Sequence, residues 1–451
     1  MSRIYQFTIF YLLALSVICG CESDYIIQLN GQLSDNNNLI YEINLSLKDS
    51  GDVFVEYWAE NDSSRFYSVL STHNINHQLS IFRLLPVTNY FYRVHARSNH
   101  KLWVSEIYQF RTDSLPANLP SYELTQRSFD FDGYILLKAF YDPGALILLD
   151  QEANIVWYQP YDSSVVRPFE FTYDGKVLSL VDSSVFEETG LDGKLLKRIN
   201  TRDHGIDKIH HELFKNLLDQ YIGLTYTKKI ADLSHLGGSK KDTIHADGMV
   251  VMDNDGKKIW EWNIFDFVDP LKEDSIMKWK HDWGHANSIA YDRDDNYLIS
   301  FRNFSQIWKV NSRNGEIIWR LGRKGDFEIQ GTDWFISQHD VHLNPEGNLL
   351  MFDNGNAKRG YSRVLAFELD EKNFRVHPAW EIVLDPSQTT YRMGSAQMVD
   401  KNHVLVCSPK KMLTLSIINT SGETVWKVTG SKDSYKAYYI SRERIENKKW
   451  F

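Results

Sequence analysis

From Asp24 to about Asp113, apolar and polar residues alternate in short runs: Tyr25 to Leu29, Leu39 to Leu47, Val53 to Trp58 and Phe91 to Val94. Period-two alternation bounded by turn residues predicts strands with one buried face. About seven such runs fit, the count of a small β-sandwich. A Leu/Pro linker, Leu115-Pro116-Ala117-Asn118-Leu119-Pro120, ends the pattern. Beyond it a looser unit recurs: two apolar strands, a turn with Asp, Asn or Gly, then a strand ending near Trp. Ile155-Val156-Trp157, Ile259-Trp260-Glu261-Trp262, Ile317-Ile318-Trp319, Ala379-Trp380-Glu381 and Thr424-Val425-Trp426 close such units, and Lys194-Leu195-Leu196-Lys197 holds the equivalent place in one more. Units of about 40 to 60 residues made only of strands predict propeller blades, because a lone four-stranded sheet must stack on neighbours to cover its faces. The expected fold is all-β: a six-bladed β-propeller over 121–451, preceded by a small β-sandwich over 24–113. Five or seven blades, a larger sandwich and a solenoid are the alternatives.

The first residues change the picture of where the chain works. Arg3 precedes an apolar run from Ile4 to Ile18, too short for a membrane span. The run ends in Ile18-Cys19-Gly20-Cys21, which resembles a bacterial lipoprotein signal: residues 1–20 would be removed and Cys21 would carry the lipid. An ordinary cleaved signal peptide is the alternative. Either implies export, and the lipoprotein reading places the protein in the periplasm or at the outer membrane, with the membrane as a partner through the anchor. Of three cysteines, Cys407 then has no mate, so no intrachain disulfide is expected. The 14% aromatic content suits many short strands. The net charge of -9 comes from interspersed rather than blocked charges, which leaves no footprint for nucleic acid. Leu84-Leu85-Pro86-Val87-Thr88-Asn89-Tyr90 resembles the tyrosine-corner stretch of fibronectin type III domains.

Candidate chemistry centres on three histidines, each leading into a strand, a polar turn and a second strand. His211 opens His-Glu-Leu-Phe-Lys-Asn, His285 opens His-Ala-Asn-Ser-Ile-Ala-Tyr-Asp, and His339 opens His-Asp-Val-His-Leu-Asn. Matching places in successive blades surround one axis, so these imidazoles should converge at the channel mouth. A single histidine at a strand start is ordinarily structural. Three at one repeat position are not required by packing. Period two sends His210 and His342 to other faces, and the turn-like His245-Ala246-Asp247-Gly248 suggests a blade corner.

The segment Gly284-His285-Ala286-Asn287-Ser288-Ile289-Ala290-Tyr291-Asp292, with its strand ending Ser300-Phe301-Arg302, resembles the arylsulfate sulfotransferase family. So do Gln338-His339-Asp340, Phe352-Asp353-Asn354-Gly355, Tyr361-Ser362-Arg363-Val364 and His210-His211-Glu212. The resemblance implies a six-bladed propeller that moves a sulfuryl group from an aryl sulfate donor to a phenolic acceptor, without an adenylyl-sulfate donor and with no cofactor or metal. By motif position His339 resembles the nucleophile, His211, His285 and Arg302 the remaining catalytic groups, and Asn287 and Ser395 substrate-binding residues. The disulfide of some family members has no second cysteine here. Whether two copies pair is left open.

These residue types suit the chemistry. Sulfuryl transfer should resemble phosphoryl transfer, with a loose transition state whose charge lies on peripheral oxygens. Arg302 offers a rigid fork of donors for them. A neutral imidazole can attack sulfur, and a protonated one can donate to the departing phenolate, help typically worth about 10²- to 10⁴-fold. Two other readings compete: a tri-histidine metal-dependent hydrolase and a non-catalytic surface propeller that binds a polymer or protein. Arg302 beside a cation would be electrostatically awkward. Cys407-Ser408-Pro409-Lys410-Lys411 is superficially similar to the sulfatase cysteine motif, but Lys411 stands where arginine is expected.

Overall fold

The computed structural model describes residues 25–98, 101–140, 144–161, 168–273, 276–410 and 412–446. The signal-like segment and Cys21 lie outside the described residues. Among the described residues no helix is long and apolar enough to cross a membrane.

Six sheets, each built on four antiparallel strands and two of them carrying a fifth, surround an axis as a β-propeller. The first strands of neighbouring blades pack on one another around that axis: Phe169–Phe171 in blade two, Ile209–Lys215 in blade three, Ala286–Tyr291 in blade four, His339–Leu343 in blade five and Ser395–Asp400 in blade six. Blade one is the exception. Its strands Gly133–Ala139, Ala145–Leu149 and Ile155–Pro160 take their axial member, Ala437–Ser441, from the chain's C-terminal end, while Tyr122–Arg127 joins the outer edge of blade six beside Thr424–Gly430. Both ends of the ring are thereby stitched across one junction between the last blade and the first.

The tryptophan repeat has a mechanical cause. The indole N–H of Trp157 donates to the carbonyl of Leu191 (2.8 Å), that of Trp262 to Gly315 (2.9 Å), that of Trp426 to Gln151 (2.7 Å), and that of Trp319 to the carboxylate of Glu371 (3.0 Å). Every acceptor lies in the outer hairpin turn of the next blade. In blade two, where the pattern has Lys197 instead, its ammonium reaches the carbonyl of Asn254 in blade three (2.5 Å). The outer strand of each of these five blades therefore reaches across to its neighbour, and a buried ring fills the gap beneath four of the contacts.

The N-terminal segment forms seven strands in one hydrogen-bonded network. Its long strand Asn37–Ala59 pairs with Ile26–Ser34 and Ser71–Ile81 along its first half and with Asn89–Ser98 along its second. The Tyr90 hydroxyl accepts the amide of Leu85 at 2.8 Å. This unit shares a core with the propeller: Leu39, Tyr41 and Phe110 belong to the same buried cluster as Ile135, Leu405 and Trp426, and Asn37 donates to the Tyr158 carbonyl.

Trp426 tests the blade junction. Trp426→Ala should lower stability by about 3–5 kcal/mol through the cavity it leaves. Trp426→Phe should cost about 1–2 kcal/mol, chiefly from the unpaired Gln151 carbonyl. Urea midpoints of the two variants check the order.

Candidate functional site

Bulges on the axial strands build the site. The register of Ile209–Lys215 slips between His210 and Leu213, that of Ala286–Tyr291 between Ala286 and Ser288, and that of His339–Leu343 between His339 and His342. His211, His285 and Asp340 take left-handed backbone, with φ of 54°, 53° and 56°. A bulge re-aims the side chains around it, and non-glycine residues in this region hold strain that the surrounding structure must sustain. The glycine before His285 is obligatory for similar reasons. Gly284 has φ of 97°, and a Cβ there would lie 3.0 Å from both Asp247 and Phe301.

His211 and His285 meet with ring centroids 4.9 Å apart, and the ring of Tyr435 stands 6.0 Å from His211 and 6.2 Å from His339. The three predicted histidines are thus gathered about one tyrosine. Their places along the strands are not identical. His211 and His339 stand five positions before the turn residues Asn216 and Asn344; Asn287 holds that place before Asp292, with His285 two positions earlier.

Each imidazole is oriented by a partner. His285 Nδ1 donates to Asp282 at 2.5 Å, which leaves Nε2 for other work. His210 and His211 face each other through their Nδ1 atoms at 2.8 Å. The bulge overrides the period-two expectation for His210, which stacks on Tyr226 instead of turning away; burial pushes its pKa down to about 4. His339 is the most constrained. Its Nδ1–H is claimed by Asn354 Oδ1 at 2.7 Å and by the Ser337 carbonyl at 3.1 Å, so the lone pair resides on Nε2, where the Met393 amide points from 3.2 Å. Asn354 is itself fixed, donating to the carbonyls of Thr390 and Met393. Burial, with the charges of Arg302 and His285 adding to it, pushes the His339 pKa down to about 3.

The Arg302 amide donates to the His285 carbonyl. Its guanidinium is held by Asn303 Oδ1 and the Tyr391 carbonyl, both at 3.1 Å, and burial lowers its pKa. Among the described residues no carboxylate lies within ion-pair distance of it. Asn287, fully buried, donates to the Gln338 carbonyl at 2.7 Å and so braces the peptide leading into His339; its Oδ1 has no hydrogen-bond partner among the described residues. Ser395 Oγ is engaged with the backbone of Ala437 in the closing strand.

Behind the imidazoles lies a buried ion triad. Lys436 Nζ contacts Glu212 at 2.6 Å and Asp340 at 3.0 Å. Burial works against its charge, yet Glu212 and Asp340 keep its pKa well above the ordinary lysine value. The three members directly follow Tyr435, His211 and His339 in sequence. They line an axial cavity of about 200 Å3 together with Glu170, His342 and Tyr438.

Sequence reasoning passed over Asp282, Tyr435 and Lys436, and placed Asn354 in a motif without giving it a role. A carboxylate three residues before His285 and an asparagine closing the strand beside His339 were readable signals; the Tyr435-Lys436 pair was not, because only ring closure brings it to the axis. His245 lies inside the strand Asp242–Met252 rather than at a corner. Trp283 and Phe304 pack against one another in the core. Among the described residues no three His, Cys, Asp or Glu side chains are grouped to hold a metal ion.

Lys436→Met should cost about 3–5 kcal/mol by leaving Glu212 and Asp340 facing each other without a cation. Adding Glu212→Gln and Asp340→Asn should recover most of that loss, as denaturant midpoints of the single and triple variants would report.

The Arylsulfotransferase (ASST) family model matches residues 124–443. The chain is 22% identical over 216 residues to the arylsulfate sulfotransferase AssT of Lelliottia amnigena, covering 32% of this chain and 36% of that protein. It is 27% identical over 135 residues to the arylsulfate sulfotransferase AssT of Escherichia coli O6:H1, covering 22% of each. The chain thus spans well under two thirds of the length of either relative. Among solved structures it is similar to a protein of unknown function from Bacteroides caccae, with a TM-score of 0.43 and 11% identity over 68% of this chain and 99% of that one. With the matched region covering the whole ring from its outer stitching strand to its closing strand, the chain belongs to the arylsulfotransferase family.

Proposed function

We propose that the protein transfers a sulfuryl group from an aryl sulfate to a phenol in two displacements, through a sulfated His339. The observation that carries this reading is an imidazole held neutral by burial, whose Nδ1–H is pinned by Asn354 so that the lone pair is left on Nε2, within electrostatic reach of the Arg302 guanidinium, which among the described residues has no carboxylate at ion-pair distance. A binding-only propeller has no use for an imidazole fixed in one tautomer beside a guanidinium.

In the first displacement the Nε2 lone pair forms the N–S bond while the S–O(aryl) bond breaks, and the Met393 amide turns away from Nε2. Charge developing on the sulfuryl oxygens falls to Arg302. The departing phenolate takes a proton from His285 or His211; Asp282 holds the His285 imidazolium in place as a carboxylate does in a hydrolase triad. In the second displacement the acceptor phenol gives its proton to the same histidine, its oxygen attacks sulfur, and the N–S bond returns its electrons to His339. Asn287 acts through the Gln338 peptide, and Ser395 through the closing strand. Residues 24–113 serve as a fibronectin type III-like packing module beside the propeller domain of residues 121–451, and the signal-like leader with Cys21 directs export and anchoring.

Incubation with an aryl sulfate should add the mass of one SO3 group to the peptide containing His339. His339→Asn should abolish both that adduct and transfer to a phenol while leaving a folded protein, and full turnover by the variant would remove the nucleophile assignment.

The depressed histidines also set a pH dependence. An unfolded histidine takes up its proton near pH 6.5, whereas folded His210 and His339 do so only near 4 and 3. The unfolded state therefore binds more protons across that interval, so their stabilising effect is complete above about pH 6.5 and is lost as pH falls. Between pH 7 and 5 the His339→Asn variant should lose about 2 kcal/mol less than the wild type in urea titrations.

A further inference from the structure

A second feature of the site is larger than sulfuryl transfer alone requires. A cleft of about 700 Å3 opens beside the nucleophile, lined by Arg302, Tyr391, Arg392, Met393, Lys410 and Asp433 among others. Met393 connects it to the chemistry, since its amide caps His339 Nε2. The volume falls in the range that encloses drug-sized ligands, and Tyr391, 42% exposed, offers an aromatic face to a ring.

The charge of this cleft runs against that of the molecule. The chain carries a net -9, yet three cations line this one opening against a single carboxylate. Arg302 suffices for the sulfuryl group. Arg392 and Lys410 are exposed and make no ion pair among the described residues; Lys410 Nζ reaches only the Pro386 carbonyl, at 3.2 Å. Asp433 is the one carboxylate of this lining; its charge interacts with Arg392, and it accepts the backbone amide of Lys410 at 3.0 Å. Arg392 and Lys410 thus add two exposed cations to an opening that Arg302 also lines.

We propose that the cleft recognises a second oxyanion on the aryl group, so that the preferred substrates are aryl sulfates and phenols bearing a carboxylate or a further sulfate. This rests on the transfer reading above. Arg392 and Lys410 receive the distal anion, Tyr391 flanks the ring, and Arg302 takes the sulfuryl group at the other end. The same charges draw such dianions toward the cleft, and the attraction weakens as salt rises.

Para-carboxyphenyl sulfate and para-carbamoylphenyl sulfate differ by one charge and little volume. Calorimetry with the His339→Asn protein, which cannot turn them over, should give about tenfold tighter binding of the carboxylate, the order of one charge-assisted hydrogen bond. In the same protein carrying Arg392→Gln and Lys410→Gln that ratio should fall to about one. The ratio of kcat/KM for the two esters in otherwise wild-type protein, with and without the two glutamines, should move in parallel. Equal affinities, a preference that survives the double substitution, or binding of neither ester would overturn the proposal. A charge-dependent affinity ratio in a wild-type protein that sulfates no phenol would instead overturn the transfer reading and leave the anion cleft standing.

Discussion

Three buried charges at the centre of the ring govern the placement of everything around them. Lys436 immediately precedes the C-terminal strand that closes blade one, and it ends between Glu212 of blade three and Asp340 of blade five. A lone ammonium at that depth would be prohibitively costly. Only when the ring is closed and the three axial strands are in register does each charge meet its counterpart, so a mis-registered or open ring is penalised far more than a slightly loosened apolar core would be. Because the residues just before the triad are Tyr435, His211 and His339, the condition that satisfies the charges also sets the positions of those three rings.

Two devices divide the labour of holding the blades. At the rim, indole N–H groups and one lysine reach from outer strands into the neighbouring hairpin turns, a contact that repeats because each blade presents the same edge to the next. At the axis, repetition is broken by bulges that differ from blade to blade. Regularity outside gives a stiff frame, and irregularity inside lets unlike side chains point at one place. The strained φ values of His211, His285 and Asp340 persist because the frame leaves them no alternative.

This division explains what could be read from the chain. The rim tryptophans are spaced by the repeat itself, so blade number and the all-β class follow from the pattern of apolar runs. His211, His285 and His339 were legible as strand-leading residues, and Arg302 as the residue ending a neighbouring strand. The bulges were not, because each slip of one or two residues falls at the start of a short strand, before an apolar alternation is established; hence His210 is drawn to His211 instead of away, and His285 is offset from the position shared by His211, Asn287 and His339. Tyr435 and Lys436 were hidden for a topological reason: the C-terminal strand borrows the axial place of blade one, so its residues reach the axis far in sequence from the blade they complete. Ser395 shows the converse, a hydroxyl at a familiar motif position that the closing strand occupies.

On the proposed chemistry, the pairing of His339 with Arg302 resolves a conflict that an acidic nucleophile would face. A carboxylate at that place would repel an incoming sulfate ester and would form an ion pair with the guanidinium meant for it. A neutral imidazole does neither. Arg302 in turn disfavours protonation of His339, in the same direction as burial, so the charge that attracts the anionic donor also keeps the attacking nitrogen unprotonated. Asn354 completes the arrangement by accepting from Nδ1–H with an uncharged oxygen: it fixes the tautomer without supplying the negative charge that an aspartate would place within reach of the substrate. The site is therefore tuned by what stands away from sulfur, with the carboxylate of Asp282 set on His285, the group that must carry a proton.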